Sequence, residues 1–277
     1  MKLQIQKNIE LPLNKNIQIT NYDIYKITGE DKFTFLQGQI TNDVELLKKE
    51  KSIGTVYCNI KGRIIGVFFL HLIIIDGVEI IILINPGDNG VNILKSLKKY
   101  SLFSKVKIEK ATDDYDLFLT NSKSRSEAIN IKLADKELSF KLAPKNTEHS
   151  ENTEAPIWQL FFINSKLPIV YQNQNEEFLS HNLELPKLGL INFKKGCYLG
   201  QEIIARTEYK AKLKKTCVIL TGNLGSDFDN INDYILQNDE GKKIGEIINF
   251  QIYNNQMFIL ASIDKQHIDN KIILNHS

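Results

Sequence analysis

Apolar positions recur with two periods along this chain. Residues 24–27, 54–59, 64–75, 78–83 and 106–109 are short β-branched and aromatic runs, the pattern of half-buried or fully buried strands. Asp76-Gly77 between the two longest runs predicts a tight hairpin. The stretch 64–84 is long enough to span a bilayer, but Asp76, Glu79 and His71 interrupt it, so it reads as two buried antiparallel strands. Helical spacing appears twice. Thr28 and Asp31 offer a cap and a capping box for a helix with Phe33, Leu36 and Ile40 inward, ended by Gly38, and a short helix follows from Asn42 to Leu47. Pro86-Gly87-Asp88 opens a second helix reaching Tyr100, with Val91, Leu94 and Leu97 inward and Lys98-Lys99 at its negative end.

Beyond residue 110 the pattern thins. Strands are predicted over 115–120 and 138–142, a polar loop over 143–155, and an apolar helix or strand over 158–163. Evenly spaced strands at 216–220, 243–249 and 257–263 predict a small β-barrel or sandwich. Helices interleaved with mainly antiparallel strands define an α+β fold, not a doubly wound one. The expected division is 1–110 with 177–212 as one α+β unit, 111–176 as a smaller one, and 213–277 as the barrel.

Composition narrows the function. In 277 residues, 35 Lys and Arg stand against 33 Asp and Glu, a net charge of +2 that gives no broad basic field. Cys58, Cys197 and Cys217 lie far apart without a CxxC, so neither a disulfide framework nor a zinc site is indicated, and the five histidines have no ligand spacing. The N-terminus has no apolar signal core, and a cytoplasmic, reducing environment without membrane attachment is expected. GxGxxG, GxxxxGK[ST] and HExxH motifs are absent.

The stretch KKGCYLGQEIIAR, residues 194–206, concentrates the chemistry. Glycines bracket Cys197, which precedes a helical run from Gln201 to Arg206, and Lys194 and Lys195 adjoin it; both features favour a thiolate. The same residues also suit a small cysteine buried in a tight turn. Cys58 and Cys217 read as buried thiols. The lysines of 210–215 (KAKLKK) read as a solvated face with a possible weak tRNA contact.

This stretch resembles the K-G-C-Y-x-G-Q-E signature of the YgfZ family. Residues 27–31 with 35–43 (FLQGQITND), Cys58 with Lys61-Gly62-Arg63, residues 97–106, and Trp158 with 167–170 are similar to further blocks of that family, so the resemblance covers almost the whole chain. It implies the glycine-cleavage T-protein fold, with three parts around a central channel that takes tetrahydrofolate. It also implies a link to iron–sulfur protein maturation and to tRNA modification, with client enzymes such as tRNA methylthiotransferases. Trp158 and Tyr22, the latter where bacterial relatives carry tryptophan, become the expected aromatic contacts, each stacking a pterin for roughly 0.5–1.5 kcal/mol beyond burial. Lys61, Arg63, Lys195 and Arg206 suit the anionic folate tail, and Gln201 joins them as a binding residue. Cys197 and Lys195 are the expected reactive pair. Two alternatives remain open. An aminomethyltransferase would carry an acidic pair after the turn at Gly62, where this chain has Ile64-Ile65-Gly66-Val67. A non-enzymatic interaction protein would keep folate only as a sensed ligand.

Overall fold

The computed structural model describes residues 1–11, 16–120, 128–147, 157–224 and 228–276. The chain begins with β1 (Lys2–Gln6), β2 (Ile17–Gln18) and β3 (Tyr22–Thr28), then α1 (Lys32–Gln39) and the single turn α2 (Leu47–Glu50). β4 (Ser52–Cys58), β5 (Ile64–Ile75) and β6 (Val78–Pro86) follow, then α3 (Gly90–Tyr100) and β7 (Lys107–Lys110). These strands form an antiparallel sheet in the order β4-β5-β6-β3-β7. Its hairpin turns at Asp76-Gly77, both at positive φ, as the dipeptide predicts. α1 and α3 cover one face through Leu36, Ile93 and Leu97, packed on Tyr25, Phe68 and Leu83.

β8 (Tyr115–Leu119), β9 (Ile129–Leu133) and β10 (Lys136–Pro144) join β2 in a second antiparallel sheet, order β2-β8-β10-β9. Phe140 of this sheet meets Phe69 of the first at a centroid distance of 4.9 Å, and α4 (Trp158–Asn164) adds Phe162 to the cluster. After α5 (Gln201–Lys210) come β11 (Lys215–Asn223), β12 (Tyr234–Gln237), β13 (Lys243–Tyr253), β14 (Gln256–Asp264) and β15 (Ile272–His276). They close a barrel in the order β1-β11-β14-β13-β12-β15. Cys217, Ile219, Phe258 and Leu260 of the barrel wall share one buried cluster with both sheets and α4. The centre of the molecule is therefore a single core fed by all three sheets.

Several expectations are corrected. Thr28 ends β3 and caps nothing; Asp31 flanks α1, but its carboxylate accepts from the Lys105 backbone N–H at 2.8 Å instead of capping the helix. The chain returning from α3 brings that donor closer than the helix's own. α1 continues through Gly38, whose position leaves open space for a Cβ. Val91 is 59% exposed, because α3 starts at Gly90 and its inward phase is Gly90, Ile93 and Leu97. β1, grouped by sequence with the first α+β unit, pairs with β11 and β15 and so belongs to the barrel. The expectation omits β9, whose INIKL does alternate apolar and polar positions, and β12, whose four residues YILQ do not. Of the loop expected over 143–155, residues 143–144 complete β10 and 148–155 lie outside the described residues. No helix among the described residues is long and apolar enough to cross a membrane.

Candidate functional site

Three segments that the sequence separates meet around Cys197. The first is the end of α1 with residues 40–43. Lys195 is 8% exposed, and its ammonium donates to the carbonyls of Gln37, Ile40 and Asn42 at 2.7, 2.8 and 2.9 Å. An ammonium has three N–H donors, so all of them are used. The carbonyls lie at the negative end of α1, where a cation is favoured. Burial nevertheless lowers this lysine to about 8, and the Asp43 carboxylate opposes the drop. Thr41 adds a second tie, donating to the Leu190 carbonyl at 2.9 Å, while its own carbonyl accepts from Asn192 N–H at 3.0 Å. Leu199 N–H donates to the Gly38 carbonyl at 3.0 Å. The segment carrying Cys197 is thus fixed on both sides.

The second segment is the β4–β5 turn. Asn59 Oδ1 accepts from the backbone N–H groups of Lys61 and Arg63 at 2.9 and 3.0 Å, a side-chain-closed turn. Gly200 stands against this turn at φ +80°; a Cβ there would lie 2.5 Å from the Asn59 carbonyl oxygen. Gly200 begins α5, and Gln201 Oε1 accepts from Tyr198 N–H at 3.3 Å. Between these anchors Gly196 and Cys197 are exposed and Tyr198 is buried. Tyr198 lies 5.2 Å from the Lys195 ammonium, and burial raises its hydroxyl, which has no hydrogen-bond partner. Cys58 and Cys217 are buried, and burial pushes Cys217 up to about 12.

The structure separates the other expected residues. Lys195 does not face solvent beside the thiol; its charge is spent inside, so it positions the loop and has no donor left for an anionic ligand. Gln201 is engaged within the loop. Lys61, Arg63 and Arg206 are exposed on the turn and α5. Arg63 Nη1 donates to the carbonyls of Glu176 and Glu177 at 3.4 and 2.6 Å. Tyr22 donates its hydroxyl to the Tyr115 carbonyl at 2.8 Å and has the Lys145 ammonium over its ring. Trp158 is 1% exposed, edge-on to Phe162, so its indole faces are covered; its Nε1–H is buried without a partner.

Pattern reading missed a cavity of about 460 Å³ where α4 and residues 171–178 face the barrel wall. Tyr171, Phe178 and Phe250 give it aromatic surface, and Gln159, Glu177 and Asn249 supply amide and carboxylate groups. Tyr171 is raised to about 12 by burial and accepts from Gln159 Nε2 at 2.8 Å. Aromatic walls with a few acceptors fit a flat heterocycle bearing N–H donors. These residues come from α4, the 171–178 segment and the barrel, and no local motif marks them. Through Glu177, Arg63 joins this cavity to the β4–β5 turn on which the cysteine loop rests.

No family model matches the chain. Among solved structures, the glycine cleavage system aminomethyltransferase T from Bartonella henselae aligns over 95% of this chain and 84% of its own, at a TM-score of 0.55 and 12% identity. That likeness defines the class: an α+β chain with antiparallel sheets and a closed six-stranded barrel, in the aminomethyltransferase T fold. Curated relatives are closer. The tRNA-modifying protein YgfZ of Hamiltonella defensa is 31% identical across 74% of this chain and 69% of its own. The protein of the same description from Buchnera aphidicola is 30% identical across 74% and 73%, and that from Colwellia psychrerythraea 25% across 88% and 83%. The chain belongs to the YgfZ family.

Proposed function

We propose that this chain is a tetrahydrofolate-binding accessory protein that supports tRNA modification and the maturation or repair of iron–sulfur enzymes, with Cys197 as its reactive group. The observation that carries the reading is the exposed Cys197 on a loop fixed by Lys195, Leu199 and Gly200. A merely structural cysteine needs neither exposure nor a buried cation holding its loop. The relatives' description as tRNA-modifying proteins supports the biological setting.

The cavity beside α4 is where the folate head would sit. Tyr171 and Phe178 supply faces, and the Glu177 carboxylate accepts N–H groups from a pterin edge. Lys243 at the cavity and Arg63 and Lys61 at the nearby turn suit the anionic tail. Trp158 directly precedes Gln159 of this wall, and its buried Nε1–H has no partner. Bound tetrahydrofolate supplies a carrier for a one-carbon unit. Cys197 offers a nucleophilic or redox-active thiol at the surface; one cysteine cannot hold a cluster alone, so cluster chemistry needs a client's ligands. An aminomethyltransferase reading has little support, because Ile64, Ile65, Gly66 and Val67 are all buried and carry no carboxylate.

Two measurements test the proposal together. Tetrahydrofolate at a hundred times its Kd should stabilise the native chain by about 2.7 kcal/mol in a thermal-shift titration. Cys197→Ala should leave that shift intact yet fail to restore iron–sulfur-dependent tRNA modification in a strain lacking the protein. Full restoration by the variant would reduce the chain to a non-enzymatic folate sensor. No shift at saturation would remove folate.

A further inference from the structure

The sequence singled out the lysines of 210–215, and neither the cavity beside α4 nor the cysteine loop uses them. α5 runs to Lys210, four residues beyond the expected Arg206, which puts Arg206 and Lys210 one turn apart on its surface. The chain then leaves in an extended conformation, with Ala211 at φ −93° and ψ 140°, before entering β11 at Lys215. Lys212 and Lys214 are exposed on this linker, and Lys265 N–H donates to the Lys214 carbonyl at 2.7 Å. Lys212, Lys214 and Lys265 together line a cavity of about 490 Å³ that also contains Asp264 and Gln266.

These cations are not neutralised. Among the described residues Arg206, Lys210, Lys212, Lys214 and Lys265 form no ion pair. The nearby Glu208 is bound by His181 at 3.0 Å, and Glu246 by Lys215. Lys212, Lys214 and Lys265 therefore line the cavity with Asp264 as its one carboxylate, and Arg206 and Lys210 precede them on the last turns of α5. Beside them Tyr209 is 71% exposed, with its ring held edge-on to Phe193 at 6.0 Å. Phe193 directly precedes the cysteine loop, so this ring contact links the patch to the segment that carries Cys197.

We infer that this face is an RNA-binding surface that takes the phosphate backbone of a tRNA, with Tyr209 as a stacking platform for an unpaired base. Side chains two apart on an extended chain repeat about every 6.6 Å. That is close to the separation of neighbouring phosphates on one strand. Lysine is depleted at protein–protein interfaces, whereas unpaired cations beside an exposed aromatic are the usual equipment of a strand-tracking groove. The curated relatives' description as tRNA-modifying makes RNA the polyanion of choice. The inference goes beyond the folate and thiol reading and needs neither.

The test is fluorescence anisotropy of the full chain with an unmodified tRNA transcript, without folate, across a salt series. Wild type should bind with a negative slope of log K against log salt. Lys212→Gln/Lys214→Gln/Lys265→Gln should bind at least about tenfold more weakly at low salt, with the slope shallower by roughly two to three. Tyr209→Ala should weaken binding by about tenfold with the slope unchanged. Lys95→Gln/Lys98→Gln/Lys99→Gln on α3 and Cys197→Ala should bind as wild type does, which separates this outcome from the fate of the thiol proposal. No binding by wild type at low salt, or equal effects of the two lysine triples, overturns the inference. So does a linker variant that keeps its RNA affinity and slope but no longer captures an acidic protein.

Discussion

Lys195 shows how one residue can matter to a site without touching its ligand. Its ammonium is enclosed by three carbonyls of residues 37–42, and the loop it holds presents Cys197. Lys195→Met keeps the volume but leaves those carbonyls without their donor, at about 1–3 kcal/mol apiece. Relief of the buried charge offsets part of this, so a net loss of about 2–4 kcal/mol is expected from urea unfolding. The pH dependence identifies the cause. Folding lowers this lysine from 10.5 to about 8, so between those values the unfolded chain binds the extra proton. Stability contributed by this group therefore rises with pH through that window and is lowest below it. Midpoints measured at pH 7.5 and 9.5 should diverge further between wild type and Lys195→Met at the higher pH. A constant gap would mean that Lys195 acts only by filling space.

At the scale of elements, the site is a junction of turns, and glycine makes it close. Gly200 combines φ +80° with a backbone oxygen 2.5 Å from where a Cβ would lie, and that oxygen belongs to the β4–β5 turn. Gly200→Ala should cost about 2–4 kcal/mol and shift α5 off the turn. The alkylation rate of Cys197 should change while its thiol is intact; an unchanged rate and unfolding midpoint would show that the turn can yield. The sequence announced each half of this junction, since Asn59 through Arg63 and the glycines around Cys197 carry turn chemistry that pattern reading recognises. It did not announce that they touch. Lys195, Leu199 and Thr41 bind backbone carbonyls or N–H groups, and any residue type supplies those. The long runs of β5 and β6 and the Asp-Gly turn were legible because burial on both faces leaves a strong apolar signature. The N-terminus of α1 was misread because Asp31 finds its hydrogen-bond donor on a chain segment 74 residues away. The cavity beside α4 stayed invisible for a similar reason. Its walls are ordinary core aromatics and amides until three distant segments fold around it.

The barrel makes the whole molecule depend on its first six residues. β1 sits between β11 and β15, Leu3 enters the barrel core, and the Met1 ammonium donates to the Leu274 carbonyl at 2.6 Å. Without β1 the barrel becomes an open sheet with two unpaired edges. The damage should travel unevenly. β12 and β13 form one wall of the cavity beside α4, whereas the Cys197 loop is tied to α1 and the β4–β5 turn and pairs with no barrel strand. A chain lacking residues 1–6 should lose about 2–5 kcal/mol in stability. Amide exchange in β11, β12 and β15 should speed up first, and residues 194–200 should keep their protection. If the cavity takes tetrahydrofolate as proposed, the ligand should then stabilise the truncated chain less than the intact one, because it must first restore the wall it binds. If exchange quickens equally in both places, the barrel and the first sheet unfold as one unit. In that case the shared core around Trp158 and Phe162, and not barrel closure, is what holds the two candidate sites together.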